Sequence, residues 1–266
     1  MGRVIGFSEL PQYLDSLGIP PERRATILDS NILITLTYDV REDYEDVCGA
    51  VQVLEENGYR LFATVNTKAE YLEYQRRIVL TEALLDAVDQ HSDLKLPRKA
   101  RARISTLKGS IKTAAQADPE RDVLFGDVHL KKIKREFSAG NHSGKIGWIE
   151  FCAEYLAGKL QAIETGLERS GIEYVSQHET SQKGLFHTLL DWPDAMKVCE
   201  TTGPSFSDSM ILNAFRCSHC PFIVSRDFDI GYAVLADKGL KDAIMPDRMA
   251  REYRHFHFKQ DKYIDG

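Results

Sequence analysis

The chain has 266 residues, 43% of them apolar and 28% charged, with a formal net charge of -6. This is the composition of a globular protein with room for a substantial core, and no apolar run approaches the length that would span a membrane. The acidic total does not advertise nucleic-acid binding, although clustered catalytic acids would depress it and mask a local basic face. Residues 1–17 lack a basic flank followed by an apolar stretch, so no secretory signal is expected and the cytoplasm is the expected location.

Residues 10–20 read as a short amphipathic lead-in ending at Gly18-Ile19-Pro20-Pro21. Residues 26–28 form a short buried strand candidate that runs into Asp29. Asn31 precedes the apolar stretch Ile32 to Leu36 and is placed to cap its first turn or to hydrogen-bond Asp29. A helix is predicted over 42–57, with Val47, Val51 and Leu54 inward and Asn57-Gly58 as its stop. A second strand is predicted over 59–65, and a long helix over 67–88 carries Glu70 near its start.

From 91 to 199 the character changes to a mostly helical, partly basic segment. Arg98, Lys99, Arg101, Arg103, Lys108 and Lys112 form one basic cluster; Lys131, Lys132, Lys134 and Arg135 form another. One continuous helix is expected over 148–169 and a further strand over 172–175. The α/β pattern resumes with a helix over 207–217 that opens on Asp208. It continues with a strand over 221–225 leading to Asp227, a helix over 230–237 and a last strand over 243–245. An aromatic tail follows from 253 to 263. The expected organisation is one domain: a core from 25–90 and 200–245, a helical insertion over 91–199, and a tail over 246–266.

The five cysteines are an odd number, which argues against a disulfide framework without a secretory signal. Cys217-Ser218-His219-Cys220 has the shape of half a zinc site, but no second pair completes it.

Asp29, Glu70, Asp208 and Asp227 carry the chemistry. Each alone has an ordinary reading. Asp29 and Asp208 sit where helix caps sit, with Ser205 and Ser207 as rival caps for the second helix. Glu70 suits a helix macrodipole and competes with Glu73 one turn later. Asp227 shares its strand end with Ser225, and Asp229 stands in reserve. In an α/β fold, however, the carboxyl ends of parallel strands gather at one edge of the sheet. Four carboxylates meeting there raise each other's pKa unless a cation holds them ionised. All-oxygen ligands suit Mg²⁺ or Mn²⁺, and such ions suit phosphodiester hydrolysis.

In order and local setting these motifs resemble those of the PIN-domain nucleases. The first is Ile27-Leu28-Asp29-Ser30-Asn31, and the second runs from Phe62-Ala63-Thr64-Val65 to Glu70. The third is Asp208-Ser209-Met210-Ile211-Leu212, and the fourth Phe222-Ile223-Val224-Ser225-Arg226-Asp227. The resemblance covers about half the chain and implies a three-layer α/β/α fold around a parallel sheet. Asp29, Glu70, Asp208 and Asp227 would be catalytic metal ligands, with Asp229 as a further ligand and Asn31 and Ser225 as supporting groups. The implied activity is a Mg²⁺- or Mn²⁺-dependent endoribonuclease on single-stranded RNA. Arg98, Lys99, Arg101, Arg103, Lys108, Lys131 and Lys132 would contact phosphates. RNA ranks ahead of DNA as partner, and no membrane is implied. A homodimer and an inhibitory protein partner, of the kind that toxins of toxin–antitoxin pairs have, remain open. The long middle segment departs from the compact members of that family. Two alternatives stand beside this reading: a catalytically silent binding module of the same fold, and a metal phosphohydrolase acting on a small phosphate ester.

Overall fold

The computed structural model describes residues 2–39, 41–89, 95–117 and 124–253. The chain forms two compact units, one from residues 1–71 with 168–266 and the other from residues 72–167.

The first unit is built on six strands: β1 (Val4–Gly6), β2 (Ala25–Leu28), β3 (Arg60–Ala63), β4 (Ile172–Tyr174), β5 (Phe222–Val224) and β6 (Asp242–Met245). They pair in the order β1-β6-β5-β2-β3-β4, and every pairing is parallel. The fold is thus α/β with a central all-parallel sheet, as expected. A strand buried on both faces reads as an unbroken apolar run rather than an alternating one. All four residues of Ala25-Thr26-Ile27-Leu28 are buried, and the one hydroxyl among them, Thr26 Oγ1, donates to the Phe222 carbonyl at 2.9 Å. Ile27, Phe62, Ile211, Leu212, Phe215, Ile223, Ile230 and Val234 form the centre of the core.

From β2 the chain runs outward through β3 to β4, then returns to the other side of β2 as β5 and runs outward again to β6. The sheet order therefore reverses between β2 and β5. This is the switch point at which a crevice opens at the carboxyl ends of parallel strands. Leu28 pairs with Val224, and the Asp29 N–H donates to the Val224 carbonyl at 2.9 Å. The residues that follow these two strands are thereby fixed side by side.

Several elements differ from expectation. The second strand ends at Ala63, and Val65 already begins the helix Val65–Val88. The expected helix over 148–169 is two helices, Trp148–Leu156 and Lys159–Arg169. The break lies at Ala157-Gly158, where Gly158 has φ +70°, a conformation glycine adopts without the cost a side chain would bring. Strand β4, expected within the insertion, pairs with β3, and residues 168–199 belong to the same unit as the sheet. Strand β1 lies ahead of the expected core and pairs with β6. The expected tail begins with the helix Asp247–Tyr253, and the rest of it, with His255 and His257, lies outside the described residues.

The 72–167 unit is helical among its described residues. Its own core gathers Leu80, Leu84, Ile104, Phe125, Leu130, Ile133 and Phe151. Thr81 Oγ1 accepts from the buried Phe125 N–H at 2.9 Å. This unit carries 16 Lys and Arg against 13 Asp and Glu, so the negative balance of the whole chain resides in the remainder. Within the unit Arg103 pairs with Glu136 at 2.8 Å, and Lys108 pairs with Asp89 at 2.6 Å. Arg98, Lys99, Lys131 and Lys132 are exposed, and Arg101 is half-buried.

Candidate metal centre

Asp29 is the first residue after β2, in extended conformation, and it is itself the N-cap of the helix Ser30–Thr37. Its Oδ1 accepts from the Ser30 N–H at 2.7 Å, and its Oδ2 accepts from the Ser225 hydroxyl at 2.8 Å. The cap therefore falls on Asp29 and not on Asn31, which lies inside the first turn; among the described hydrogen bonds the Asn31 amide does not reach the acid. The reason is local. A strand that ends in Asp already supplies the short oxygen acceptor that the first free N–H groups of the next helix need.

Ser225 is the first residue after β5, as Asp29 is after β2. Its Oγ donates to Asp29 and accepts from the Asp227 N–H at 2.9 Å, so one hydroxyl ties the two strand ends together. Asp227 in turn caps the helix Phe228–Ala236, its Oδ1 accepting from the Asp229 N–H at 2.8 Å. Asp208 lies in the first turn of the helix Phe206–Cys217, which Ser205 caps by accepting from the Asp208 N–H at 3.2 Å. The expected rivalry between Ser205 and Ser207 is thus settled for Ser205. Ser207 instead accepts from the Asn66 amide at 3.3 Å, a contact that joins the start of the Glu70 helix to the start of the Asp208 helix.

Asp29, Glu70 and Asp208 each place a carboxylate oxygen within 4.8 Å of the other two. Among the described residues this is the one group of three or more Asp, Glu, His or Cys side chains that converges closely enough to hold a metal ion. Asp29 is 1% exposed and Asp208 9%, while Glu70 is partly exposed. Asp227 stands close enough for its charge to act on both Asp29 and Asp208, and Glu70 acts in turn on Asp227. Glu73, the competitor of Glu70, is held by Arg76 through two hydrogen bonds, which lower its carboxyl pKa.

Electrostatics set these acids apart. Burial pushes the Asp29 carboxyl from its ordinary 3.8 up to about 7; the Asp227 and Asp208 charges push the same way, while Ser225 and the Ser30 N–H oppose them. Asp208 is raised by burial, with Asp227 and Glu70 adding to it against Ser205. Asp227 is raised by burial, with Asp229 and Glu70 adding to it. The charges acting on Asp29 and Asp208 most strongly are thus other carboxylates rather than basic side chains. Oxygen-only donors at this spacing fit a hard divalent cation, which would supply the missing positive charge.

The other side of the β5 terminus carries a partly buried ion-pair network. Between Ser225 and Asp227, whose side chains face the acids, Arg226 points away and reaches Thr35 Oγ1 at 2.7 Å and the buried Asp43. Arg248 also reaches Asp43, at 3.1 Å, and Glu42 at 3.2 Å. This network ties the segment after the Asp29 helix to the strand that carries Ser225 and Asp227. The signal that could have found it is the odd placement of a basic residue between two acid-facing positions.

The half zinc motif does not assemble. Among the described residues, Cys217, His219 and Cys220 belong to no converging group of three ligands; Cys217 and Cys220 are buried free thiols, and burial raises the Cys220 pKa to about 11. No helix among the described residues is long and apolar enough to cross a membrane. Comparison with protein-family models, curated proteins and solved structures finds no match to this chain.

Proposed function

We propose that this chain is a Mg²⁺- or Mn²⁺-dependent nuclease of the PIN-domain type, hydrolysing phosphodiester bonds in single-stranded RNA. The observation that carries the reading is the convergence of Asp29, Glu70 and Asp208 at the switch point of a parallel sheet, with Asp227 beside them. The order of these acids along the chain and the strand or helix terminus each occupies support the PIN assignment. A binding module has no need of buried acids that raise one another's pKa. They cost stability, and a cation removes that cost.

Asp29, Glu70 and Asp208 would hold the ion, with Asp227 completing the set. Bound there, a divalent cation would lower the pKa of a water and stabilise charge developing on the scissile phosphate. The protein's part is position. Strand β2 fixes Asp29, Ser225 holds the Asp29 carboxylate through Oδ2, and the Ser205 cap fixes the first turn that carries Asp208. Asp227 and Glu70 are the less buried acids, and one of them would accept the proton of the attacking water. The exposed basic residues Arg98, Lys99, Lys131 and Lys132 are assigned phosphate contacts and would make binding salt-dependent.

The test is cleavage of end-labelled single-stranded RNA by purified protein with Mn²⁺, with EDTA, and with the D208N variant. The reading predicts cleavage by the wild type with Mn²⁺ alone. Cleavage that survives EDTA, or equal cleavage by D208N, would refute it.

A further inference from the structure

The helix that carries Asp208 opens on an exposed aromatic pair that the metal chemistry does not use. Trp192 opens the helix Trp192–Thr202 and is 58% exposed; Phe206 opens the helix Phe206–Cys217 and is 41% exposed. Their ring centroids are 5.0 Å apart with the planes inclined at 46°, so both rings keep open surface beside a fixed neighbour. Rings of this size normally leave water, and two together in the open mark a binding surface.

Position says what the surface is for. Phe206 lies two residues before Asp208 in one helix, a separation of about 5 Å between Cα atoms. One turn further along, Met210 lines a cleft of about 180 Å³ shared with Asn66, Tyr174 and Leu190. Asn66 is also the residue whose amide reaches Ser207, next to Asp208. Phe206 and Met210 share one face of the helix that carries Asp208, so the aromatic pair and the cleft are set along that helix, with amide and hydroxyl groups at the cleft's edge. An unpaired base needs such a surface: a flat π-face to stack on and polar atoms at its margin. A paired base, stacked inside a duplex, could not reach it.

We infer that the Trp192–Phe206 pair, with the adjoining cleft, is a stacking subsite for an unpaired base of the strand being cut, next to the phosphate held at the acids. The inference rests on the nuclease reading, but it assigns the preference for single strands to two named side chains.

The chain has two tryptophans, so a W148F background leaves Trp192 as the sole emitter. In that background, with D29N to prevent cutting, single-stranded RNA decamers should quench the emission while a ribose-phosphate strand of equal length without bases should not. Equal quenching by both strands, or none by either, overturns the subsite. So does an emission shift caused by raising protein concentration alone, which would mean that a second copy covers the patch. In the otherwise unaltered protein with Mn²⁺, W192A and F206A should each raise KM for single-stranded RNA about tenfold, equivalent to about 1.4 kcal/mol. That loss should fall on KM and be restored by W192F. Normal RNA cleavage with unchanged KM in both variants would reject the subsite and leave the nuclease standing. Base-dependent quenching in a wild type that cuts no nucleic acid would reject the nuclease and leave the stacking.

Discussion

Asp29→Asn separates the cost of a buried charge from its use. In the metal-free protein, the difference between 3.8 and about 7 at Asp29 corresponds to about 4 kcal/mol of penalty on its ionised form. A carboxyl whose folded pKa lies above its unfolded one destabilises the fold as pH rises. Between about pH 4 and pH 7 the unfolded chain releases the proton while the folded chain keeps it, so metal-free stability falls across that window and levels off above it. Asparagine removes the charge and keeps the geometry. Its Oδ1 still accepts from the Ser30 N–H, and its amide can donate to Ser225 Oγ, whose own proton then turns away. In EDTA at pH 8, D29N should therefore melt above the wild type, by up to about 10 °C for a unit of this size. At pH 4.5 only about 1 kcal/mol of that difference should remain, so the two should melt within about 4 °C of each other. Mn²⁺ at a hundredfold excess over its dissociation constant should stabilise the wild type by about 2.7 kcal/mol and leave the variant nearly unmoved. Thermal unfolding by circular dichroism at both pH values, with and without Mn²⁺, reads all four conditions. A D29N variant less stable than the wild type at pH 8 in EDTA would refute the reasoning, because the hydrogen bonds of the Asp29 carboxylate would then outweigh the cost of its buried charge.

The same linkage predicts that Mn²⁺ affinity, measured by calorimetry, rises from pH 5.5 to about pH 7.5 as the ion displaces the proton on Asp29; a flat profile would contradict this. Ser225→Ala removes a hydrogen bond to the Asp29 carboxylate and should weaken Mn²⁺ binding at pH 7 roughly tenfold, visible in the same titration. Arg226→Met removes one guanidinium partner of the buried Asp43 and should cost about 3 kcal/mol in urea unfolding, whereas a surface pair would cost less than one. Ile27→Ala, in the strand that carries Asp29, should cost about 2–5 kcal/mol by the same assay.

Much of the sheet was legible because parallel strands buried on both faces announce themselves as short apolar runs. Thr26 to Leu28 and Phe222 to Val224 are such runs, and both pair where the acids meet. Strand β4 was legible over 172–175, though not its place beside β3; strand β1 is three residues long, so little distinguishes it from loop. The break at Gly158 was hidden because one glycine within a helical period is tolerated often enough to read through. Of the site, the acids themselves were legible from their position at element termini. The choice of Glu70 over Glu73 came with the motif resemblance, and the structure adds that Arg76 takes Glu73 into an ion pair. The hydrogen bond from the Ser225 hydroxyl to the Asp29 carboxylate was not legible, since Ser225 arrives from the neighbouring strand. That contact joins residues 196 positions apart, and no local pattern encodes it.

The most direct measurement is a crystal soaked in Mn²⁺ and recorded near the manganese absorption edge. An anomalous peak bounded by oxygens of Asp29, Glu70 and Asp208, at manganese–oxygen bonding distance, is the predicted result. A protein saturated with Mn²⁺ that shows its peak elsewhere, or none at these three side chains, would contradict the metal centre on which the hydrolytic function depends.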